Sequence, residues 1–339
     1  MRVLVTGNQG YIGTVLVPML LERGFDVVGF DLGLYEECLL IPDSPRITQI
    51  SEDIRNIKPA DLRGVDAVIH LAGLSNDPLG ELSPGLTEDI NLSGTLKLAE
   101  LSKKEGVQRF VFASSQSMYG ISSADTELDE DLSEKNPITS YAKSKWDAEC
   151  NLKKLNDETF TAVFFRPSTV FGASPRLRMD IVFNNLVGCA FTTGSIEIKS
   201  DGSPWRPVVH VRDVCEAFIS GLIAPKDLIS GRAFNVGIPN GNFTVRDLAE
   251  AAQRAVPESK LKFTGEHGGD SRTYRVSFNR ILTELKDYFS PQWDLDRGAK
   301  ELISLFKEVN FTEKDFRGRL TNRLPQLKYF MEKNVKKLI

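Results

Sequence analysis

The chain of 339 residues contains few of the side chains that build disulfide frameworks or metal centres. Its four cysteines are far apart and form no CxxC pair, and its three histidines show no ligand spacing. Isolated cysteines of this kind are typical of free thiols in a reducing compartment. We therefore expect a cytoplasmic protein without a bound metal.

Long apolar runs and blocks of basic charge are also missing. No stretch approaches the ~20 apolar residues that span a bilayer. We expect no signal peptide either, because a glycine loop begins at residue 7. The net charge is −4, and only residues 333–337 are mildly basic. These features indicate neither a membrane nor a nucleic acid as a partner.

The first positive signal is a strand, a glycine loop and a helix at the start of the chain. A β-branched run over residues 3–6 leads into Gly7, Gly10 and Gly13, and an apolar helical stretch begins at Ile12. Glycines allow a tight turn and a close approach of phosphate to the backbone, and the helix N-terminus favours an anion. The pattern predicts a dinucleotide-binding Rossmann unit, although glycines that serve packing alone would give the same spacing.

An acidic residue follows the second predicted strand, 26–30. Asp31 lies about where a ribose-binding carboxylate is expected, ~20 residues beyond the glycines. A carboxylate there accepts hydrogen bonds from the ribose and repels a 2′-phosphate. No Arg or Lys occurs between Asp31 and Pro45. The stretch favours NAD over NADP, and the alternative for Asp31 is a turn or cap residue.

Strand and helix patterns alternate along the first half of the chain, which predicts an α/β fold with a Rossmann-type doubly wound parallel sheet. The predicted strands are 2–6, 26–30, 66–72, 109–114 and 160–165. Beyond Pro167 we expect a smaller C-terminal α/β substrate lobe, with helices at about 179–191, 244–256, 278–286, 294–308 and 313–336. The predicted NAD-binding domain is 1–167 plus about 206–238, where the strand 208–211 and the helix 212–223 return to it. The predicted lobe is about 168–205 and 239–339.

A tyrosine and a lysine stand four residues apart on a predicted helix. Tyr141 and Lys145 therefore share one helix face. An ammonium close to a phenol favours the phenolate and lowers the tyrosine pKa from ~10, which makes Tyr141 a candidate general base. Ser114 and Ser115 end the fourth predicted strand and would point into the same cleft. Taken alone, the pair could also be a surface tyrosine and lysine on an amphipathic helix.

Together these pieces resemble the NAD-dependent epimerase/dehydratase family of extended short-chain dehydrogenases/reductases, over residues 1 to about 280. The matching motifs are Thr6-Gly7-x-x-Gly10-x-x-Gly13, Asp53-Ile54, His70-Leu71-Ala72-Gly73, Asn91 with Gly94-Thr95, Ser114-Ser115-x-x-Met118-Tyr119-Gly120, Tyr141-x-x-x-Lys145, Arg166-Pro167-Ser168-x-Val170-Phe171-Gly172 and Arg206-Pro207-x-x-His210-Val211-x-Asp213-Val214.

The resemblance implies a role for each matching position. Tyr141 would remove a proton from a sugar hydroxyl, Lys145 would hold the nicotinamide ribose, and Ser115 would bond the reacting oxygen. The implied NAD-binding residues are Gly7, Gln9, Gly10, Tyr11, Ile12, Gly13, Asp31, Asp53, Ile54, Leu71, Ala72, Gly73, Ser114, Tyr141, Lys145 and Pro167. The implied residues for a nucleoside-diphosphate sugar are Ser75, Gln116, Ser117, Arg176, Arg178, Asn184, Arg206 and Arg272. Arginine suits phosphate oxygens, although any one of these arginines could instead form a surface ion pair.

One departure from the family pattern narrows the reaction. Members that eliminate water carry an acid pair where this chain has Gln116 and Ser117. We therefore predict a nucleotide-sugar epimerase that oxidises one sugar carbon transiently, at C4. The alternatives are a nucleotide-sugar dehydrogenase or 4-ketoreductase and, from another class, an NAD-binding regulatory protein without turnover.

The resemblance also implies a homodimer. Two predicted helices, 86–105 and 140–156, carry more apolar residues than one core-facing stripe needs. The apolar residues in question are Leu92, Leu96, Trp146 and Leu152. Two such helices from each subunit would form an intermolecular four-helix bundle.

Overall fold

The computed structural model describes residues 1–41, 45–121, 125–265 and 273–333. Within these ranges the strands are β1 Arg2–Thr6, β2 Asp26–Phe30, β3 Thr48–Ile50, β4 Ala67–His70, β5 Arg109–Ala113, β6 Glu127–Leu128, β7 Thr161–Pro167, β8 Thr169–Phe171, β9 Ser195–Ile198, β10 Trp205–His210, β11 Ala233–Val236, β12 Asn242–Thr244, β13 Lys260–Phe263 and β14 Arg275–Val276. The α-helices are α1 Gly13–Glu22, α2 Asp77–Leu82, α3 Pro84–Glu88, α4 Thr95–Lys104, α5 Ser140–Leu155, α6 Val182–Thr193, α7 Val211–Ile223, α8 Lys226–Ile229, α9 Val245–Ala255, α10 Asn279–Glu284, α11 Leu295–Glu308, α12 Glu313–Arg317 and α13 Arg323–Lys333. A π-helical turn, Asp89–Gly94, joins α3 to α4.

Seven parallel strands form the central sheet, in the order β3-β2-β1-β4-β5-β7-β11. The strand order reverses between β1 and β4, and this is where open α/β sheets bind ligands. In the register of β1, Thr6 pairs with Phe30 on β2 and with His70 on β4, so the three carboxyl ends meet at one edge. The predicted doubly wound parallel sheet is confirmed.

The core lies on both faces of this sheet because successive strand residues point to opposite sides. Val3 and Val5 belong to the cluster that α1 and α7 cover, whereas Leu4 belongs to the cluster that α4 and α5 cover. All three side chains are fully buried. Strands buried on both faces read as continuous apolar runs, which is why β1 and β5 were recognisable in the sequence.

Two strands of the central sheet were missing from the prediction, and one predicted strand lies elsewhere. The strands β3 and β11 form the two edges of the sheet. The strand β10 does not return to the main body as expected, since it pairs with β8 and β12 in a separate three-stranded sheet. The helix α7 that follows does pack on the central sheet, against β5 and β7.

The last predicted helix, 313–336, is broken into α12 and α13. The side-chain amide of Asn322 donates to the carbonyl oxygens of Phe316 (2.9 Å) and Gly318 (2.8 Å), which satisfies the end of α12 and turns the chain. The other lobe helices, α6, α9, α10 and α11, lie within a few residues of their predicted bounds. The predicted division into two domains stays a prediction.

The structure also describes the cysteines, the side chains that could ligate a metal, and the length and apolar character of the helices. The four cysteines carry no disulfide. Among the described residues, no group of three or more His, Cys, Asp and Glu side chains is placed to hold a metal ion. In the same part of the chain, no helix combines the length and apolar character that crossing a membrane requires.

Candidate active site

A cavity of about 640 Å³ opens at the carboxyl ends of the central strands and runs towards the C-terminal helices. Most of the predicted site residues line this one cavity. They are Gly7, Gly10, Tyr11, Ile12, Gly13, Asp31, Asp53, Ile54, Leu71, Ala72, Gly73, Ser75, Ser114, Ser115, Gln116, Ser117, Tyr141, Lys145, Pro167, Arg178 and Arg206. The structure therefore brings together side chains that the sequence spreads over about 200 positions.

The glycine loop leaves no room for side chains at two of its positions. Gly7 has φ +72°, and a Cβ there would lie 2.7 Å from the backbone nitrogen of Ala72. A Cβ on Gly13, the first residue of α1, would lie 2.4 Å from the carbonyl oxygen of Gly7. Backbone therefore forms the cavity wall at the N-terminus of α1, which is a surface suited to a pyrophosphate. These residues fit the phosphates of NAD.

Asp31 links the end of β2 to the glycine loop. Its carboxylate accepts hydrogen bonds from the backbone N–H groups of Gln9 (3.0 Å) and Gly33 (2.8 Å), and it also lines the cavity. Burial raises the Asp31 pKa, whereas the two N–H groups and the charge of Arg176 lower it. The carboxylate is thus held at the cavity wall, in the position expected for binding a ribose.

Arg176 contacts the glycine loop and does not line the substrate side of the cavity. Its guanidinium donates to the carbonyl oxygen of Gln9, and its side chain is buried outside the cavity lining. Gln9 itself does not line the cavity, whereas its loop neighbours Gly10 and Tyr11 do. The sequence around Asp31 lacks a cation, but the fold supplies Arg176 from a distant loop.

Tyr141 and Lys145 both face the cavity from the first turns of α5. The helix starts where it does because the Thr139 side chain accepts the N–H of Ala142 (3.2 Å). A Cβ on Gly80 would lie 2.9 Å from the Tyr141 Cβ, so this glycine lets α2 pack closely against the tyrosine. The predicted face of α5 is therefore the one that lines the site.

The predicted direction of the Tyr141 pKa shift is wrong. Burial raises the Tyr141 pKa and the charge of Asp77 raises it further, whereas a hydrogen bond with Ser115 lowers it. Lys145 does not reverse this effect, because its ammonium donates to the carbonyl oxygen of Ala113 (2.8 Å) and lies over the Phe112 ring. Burial lowers the Lys145 pKa to about 8.

Ser115 and its neighbours form the turn after β5. The Ser115 side chain accepts the backbone N–H of Ser117 and donates to the Ser117 hydroxyl, both at 3.1 Å. The Gln116 amide donates to the carbonyl oxygen of Arg166 (3.0 Å), and its own carbonyl oxygen is buried without a hydrogen-bond partner. Gln116 and Ser117 therefore occupy the cavity wall with neutral groups.

A buried charge pair, absent from the predicted site, lies behind the turn. The Glu149 carboxylate accepts from the Ser114 hydroxyl (2.7 Å) and from the Arg166 guanidinium at 2.5 and 3.1 Å. Arg166 also donates to the hydroxyl of Tyr119 (3.0 Å). The pair positions both ends of the turn that carries Ser115. The sequence feature that could have indicated this pair is Arg166, a charged residue at the end of the apolar run of β7.

Other predicted polar residues also prove to be structural. Asn184 is fully buried outside the cavity lining, where its amide bonds the Gly172 N–H (2.9 Å) and the Arg178 carbonyl oxygen (2.9 Å). Asn91 bonds Leu74 and Ser144 and thereby braces the loop after β4 against α5. Asn184 therefore holds the wall of the site instead of facing a substrate.

The predicted phosphate-binding arginines have different environments. Arg178 lines the cavity next to the Ser75 hydroxyl (3.4 Å) and forms a two-point pair with Asp180 at 2.9 and 3.1 Å. Arg206 lines the cavity on β10 together with Tyr274. Arg272 lies outside the described residues. The described arginines that reach the cavity from the predicted set are thus Arg178 and Arg206.

Two further lining residues, Arg323 and Leu324 at the start of α13, were not predicted from the sequence. This segment was predicted as part of one continuous helix, 313–336. The break before α13 directs these two side chains into the cavity wall.

Comparison with known proteins agrees with this geometry. The family model described as "NAD dependent epimerase/dehydratase family" matches residues 3–237. The UDP-glucose 4-epimerase of Mycolicibacterium smegmatis is 31% identical, over 91% of this chain and 99% of that protein. UDP-glucuronic acid decarboxylase 1 of Arabidopsis thaliana is 26% identical, over 94% of this chain and 72% of that protein.

A solved structure shows the same architecture. The UDP-glucuronic acid 4-epimerase of Bacillus cereus, in complex with UDP-glucuronic acid and NAD, superposes with a TM-score of 0.76. It is 25% identical and covers 91% of this chain and 100% of that chain. The predicted family and the predicted cofactor are confirmed: the chain belongs to the NAD-dependent epimerase/dehydratase family.

Proposed function

We propose that this enzyme is a nucleotide-sugar 4-epimerase. The observation that carries the proposal is the meeting of Ser115, Tyr141 and Lys145 with the glycine loop in one cavity. Two of the similar proteins are 4-epimerases of UDP-glucose and UDP-glucuronic acid. The described cavity extends past Arg178 to Arg206, which suits a nucleoside diphosphate beside the cofactor.

The side chains divide the chemistry between them. NAD⁺, when bound, supplies the acceptor for a hydride from the sugar carbon and returns that hydride. The Tyr141 oxygen takes the proton of the sugar hydroxyl, and Ser115 hydrogen-bonds the same oxygen. Lys145 is buried with a pKa of about 8, so near neutral pH it lines the cavity as a cation that can donate hydrogen bonds to the cofactor.

The neutral side chains at Gln116 and Ser117 distinguish epimerisation from dehydration. Neither group shuttles a proton to or from a ring carbon, and Gln116 is committed to the backbone of Arg166. The buried acid nearby, Glu149, is already bonded to Ser114 and Arg166. The site therefore favours oxidation and reduction at one carbon without loss of water.

A turnover assay with UDP-glucose and UDP-glucuronic acid tests this proposal. The protein with NAD⁺ should convert one of them into its 4-epimer without a lasting rise in absorbance at 340 nm. Tyr141→Phe should lower the rate by about 10²–10⁴-fold while NAD binding remains. Net NADH formation would instead indicate a dehydrogenase, and a 4-keto-6-deoxy product would indicate a dehydratase.

We also propose that two copies of the chain associate through α4 and α5. These helices pack against each other, and three apolar side chains on them or on the turn before α4 are partly exposed, namely Leu92, Leu96 and Trp146. Leu152, predicted as part of the interface, is fully buried in the monomer core and does not contribute. The remaining apolar side chains suit a partner of the same kind.

A further inference from the structure

The last helix brings a buried arginine to the wall of the cofactor cavity. Arg323, the first residue of α13, is 2% exposed and lines the cavity. Its position lies beyond the matched residues 3–237 of the family model. A guanidinium so deeply buried needs partners for its N–H groups, since each unpaired one is costly.

The guanidinium of Arg323 is fixed in place but incompletely paired. Its Nη2 donates to the carbonyl oxygen of Arg176 (2.7 Å), and its Cζ lies 4.5 Å from the centre of the Tyr35 ring. Its Nη1 is buried and has no hydrogen-bond partner. One edge of the fork is therefore anchored, and the other edge has no partner among the described residues.

The side chains around Arg323 carry too little negative charge to balance the positive charges present. The positive charge of Arg178 acts on Arg323, and the acid that offsets it is Asp180. That same Asp180 already forms the two-point pair with Arg178. The buried guanidinium of Arg323 and the partly exposed one of Arg178 thus share one neighbouring carboxylate, and an anion would balance the second positive charge.

The position of Arg323 indicates which anion it would bind. Its anchor, the carbonyl oxygen of Arg176, belongs to the residue whose guanidinium donates to the carbonyl oxygen of Gln9 in the glycine loop. Arg323 therefore serves the end of the cavity where the glycine loop faces a pyrophosphate.

We propose that Arg323 binds the pyrophosphate of NAD, so that α13 acts as a clamp on the bound dinucleotide. The clamp is attached through the Thr321 carbonyl oxygen, which accepts the Met179 N–H (2.7 Å), and through the buried Leu327. The inference depends on the NAD site and is independent of which sugar reaction the enzyme performs. Its consequence is slow release of the cofactor.

Calorimetric titration of Arg323→Met with NAD, and separately with UDP, tests the clamp. We expect NAD affinity to fall by roughly tenfold or more, which is the effect of one charge-assisted hydrogen bond, while UDP binding is unchanged. Arg323→Lys should give an intermediate loss because it keeps the charge without the fork. The matched control is Arg317→Met, since Arg317 lies exposed on α12 and pairs with Glu313.

Two results would overturn the proposal. Unchanged NAD affinity in Arg323→Met and Arg323→Lys would show that the arginine is structural, and a loss for UDP as large as that for NAD would remove its specificity for the cofactor. If the variants do not fold, hydrogen exchange of the wild-type protein decides. NAD should slow amide exchange in α13, and unchanged exchange there would contradict the clamp.

Discussion

The carboxylate of Glu149 and the guanidinium of Arg166 meet at 2.5 Å behind the turn that carries Ser115. Both side chains are buried, and the pair also bonds Ser114 and Tyr119. A buried pair of this kind gives little net stability over apolar residues, but it fixes the direction of the groups around it. This pair therefore positions the turn that carries Ser115, the serine to which we assign a catalytic role.

Glu149→Gln should destabilise the protein by about 3–5 kcal/mol, because it leaves the Arg166 charge buried without its partner. Urea denaturation followed by circular dichroism measures the free energy of unfolding. The exposed pair Arg254–Asp296 provides the control, and Asp296→Asn should cost at most about 1 kcal/mol. Equal effects of the two substitutions would refute the positioning role of Glu149.

The pH dependence of turnover should report Lys145. Burial lowers the Lys145 pKa to about 8, so the ammonium is charged below that pH and neutral above it. We expect kcat/KM to fall as the pH rises past about 8, since the cavity then loses the Lys145 ammonium that would hydrogen-bond the cofactor. Lys145→Arg keeps a charge at every accessible pH, so its alkaline limb should move upward even though its rate is lower. The same alkaline limb in both proteins would exclude Lys145 as its source.

Asp31 should govern the preference for NAD over NADP. Asp31→Ala removes the carboxylate that repels a 2′-phosphate and leaves the charge of Arg176 nearby, so the gap between the two affinities should narrow by about tenfold. Calorimetry with both cofactors measures it, and Asp26→Ala, at the exposed start of β2, is the control. An unchanged ratio of affinities in Asp31→Ala would rule out this role.

The proposed dimer predicts twice the subunit mass by light scattering at micromolar concentration. Replacing the partly exposed Leu92 and Leu96 by Asp should give single subunits, because each substitution places a charge in the apolar contact. Leu132→Asp is the matched control, since Leu132 is exposed and lies on neither helix. A single subunit mass for the unaltered protein would dismiss the proposed interface.

The parts of the fold and of the site that depend on local sequence patterns could be predicted. Apolar runs identified five strands of the central sheet. The spacing of Gly7, Gly10 and Gly13 identified the glycine loop, in which neighbouring backbone leaves no space for a side chain at Gly7 or Gly13. The four-residue spacing of Tyr141 and Lys145 placed both on the face of α5 that lines the cavity. Each of these inferences needed only neighbouring residues.

Features that depend on distant contacts could not be predicted in this way. Arg176 approaches Asp31, and Arg323 lines the same cavity as the glycine loop, although these residues are far apart in the chain. The Tyr141 pKa rises because burial outweighs the neighbouring charges, and burial is a property of the folded chain. Asn184 was predicted to bind the substrate, but its buried side-chain amide instead accepts the N–H of Gly172.

If one sugar carbon is oxidised and reduced within a single site, the hydrogen on that carbon stays with the sugar, and an isotope experiment can follow it. UDP-glucose or UDP-glucuronic acid deuterated at C4 would be incubated with the protein and NAD⁺ in ordinary water, and the product would be followed by NMR. We expect a 4-epimer that keeps its deuterium at C4, since the hydride returns from the cofactor that removed it. Loss of the deuterium to solvent during epimerisation, or its accumulation in released NADH, would contradict it.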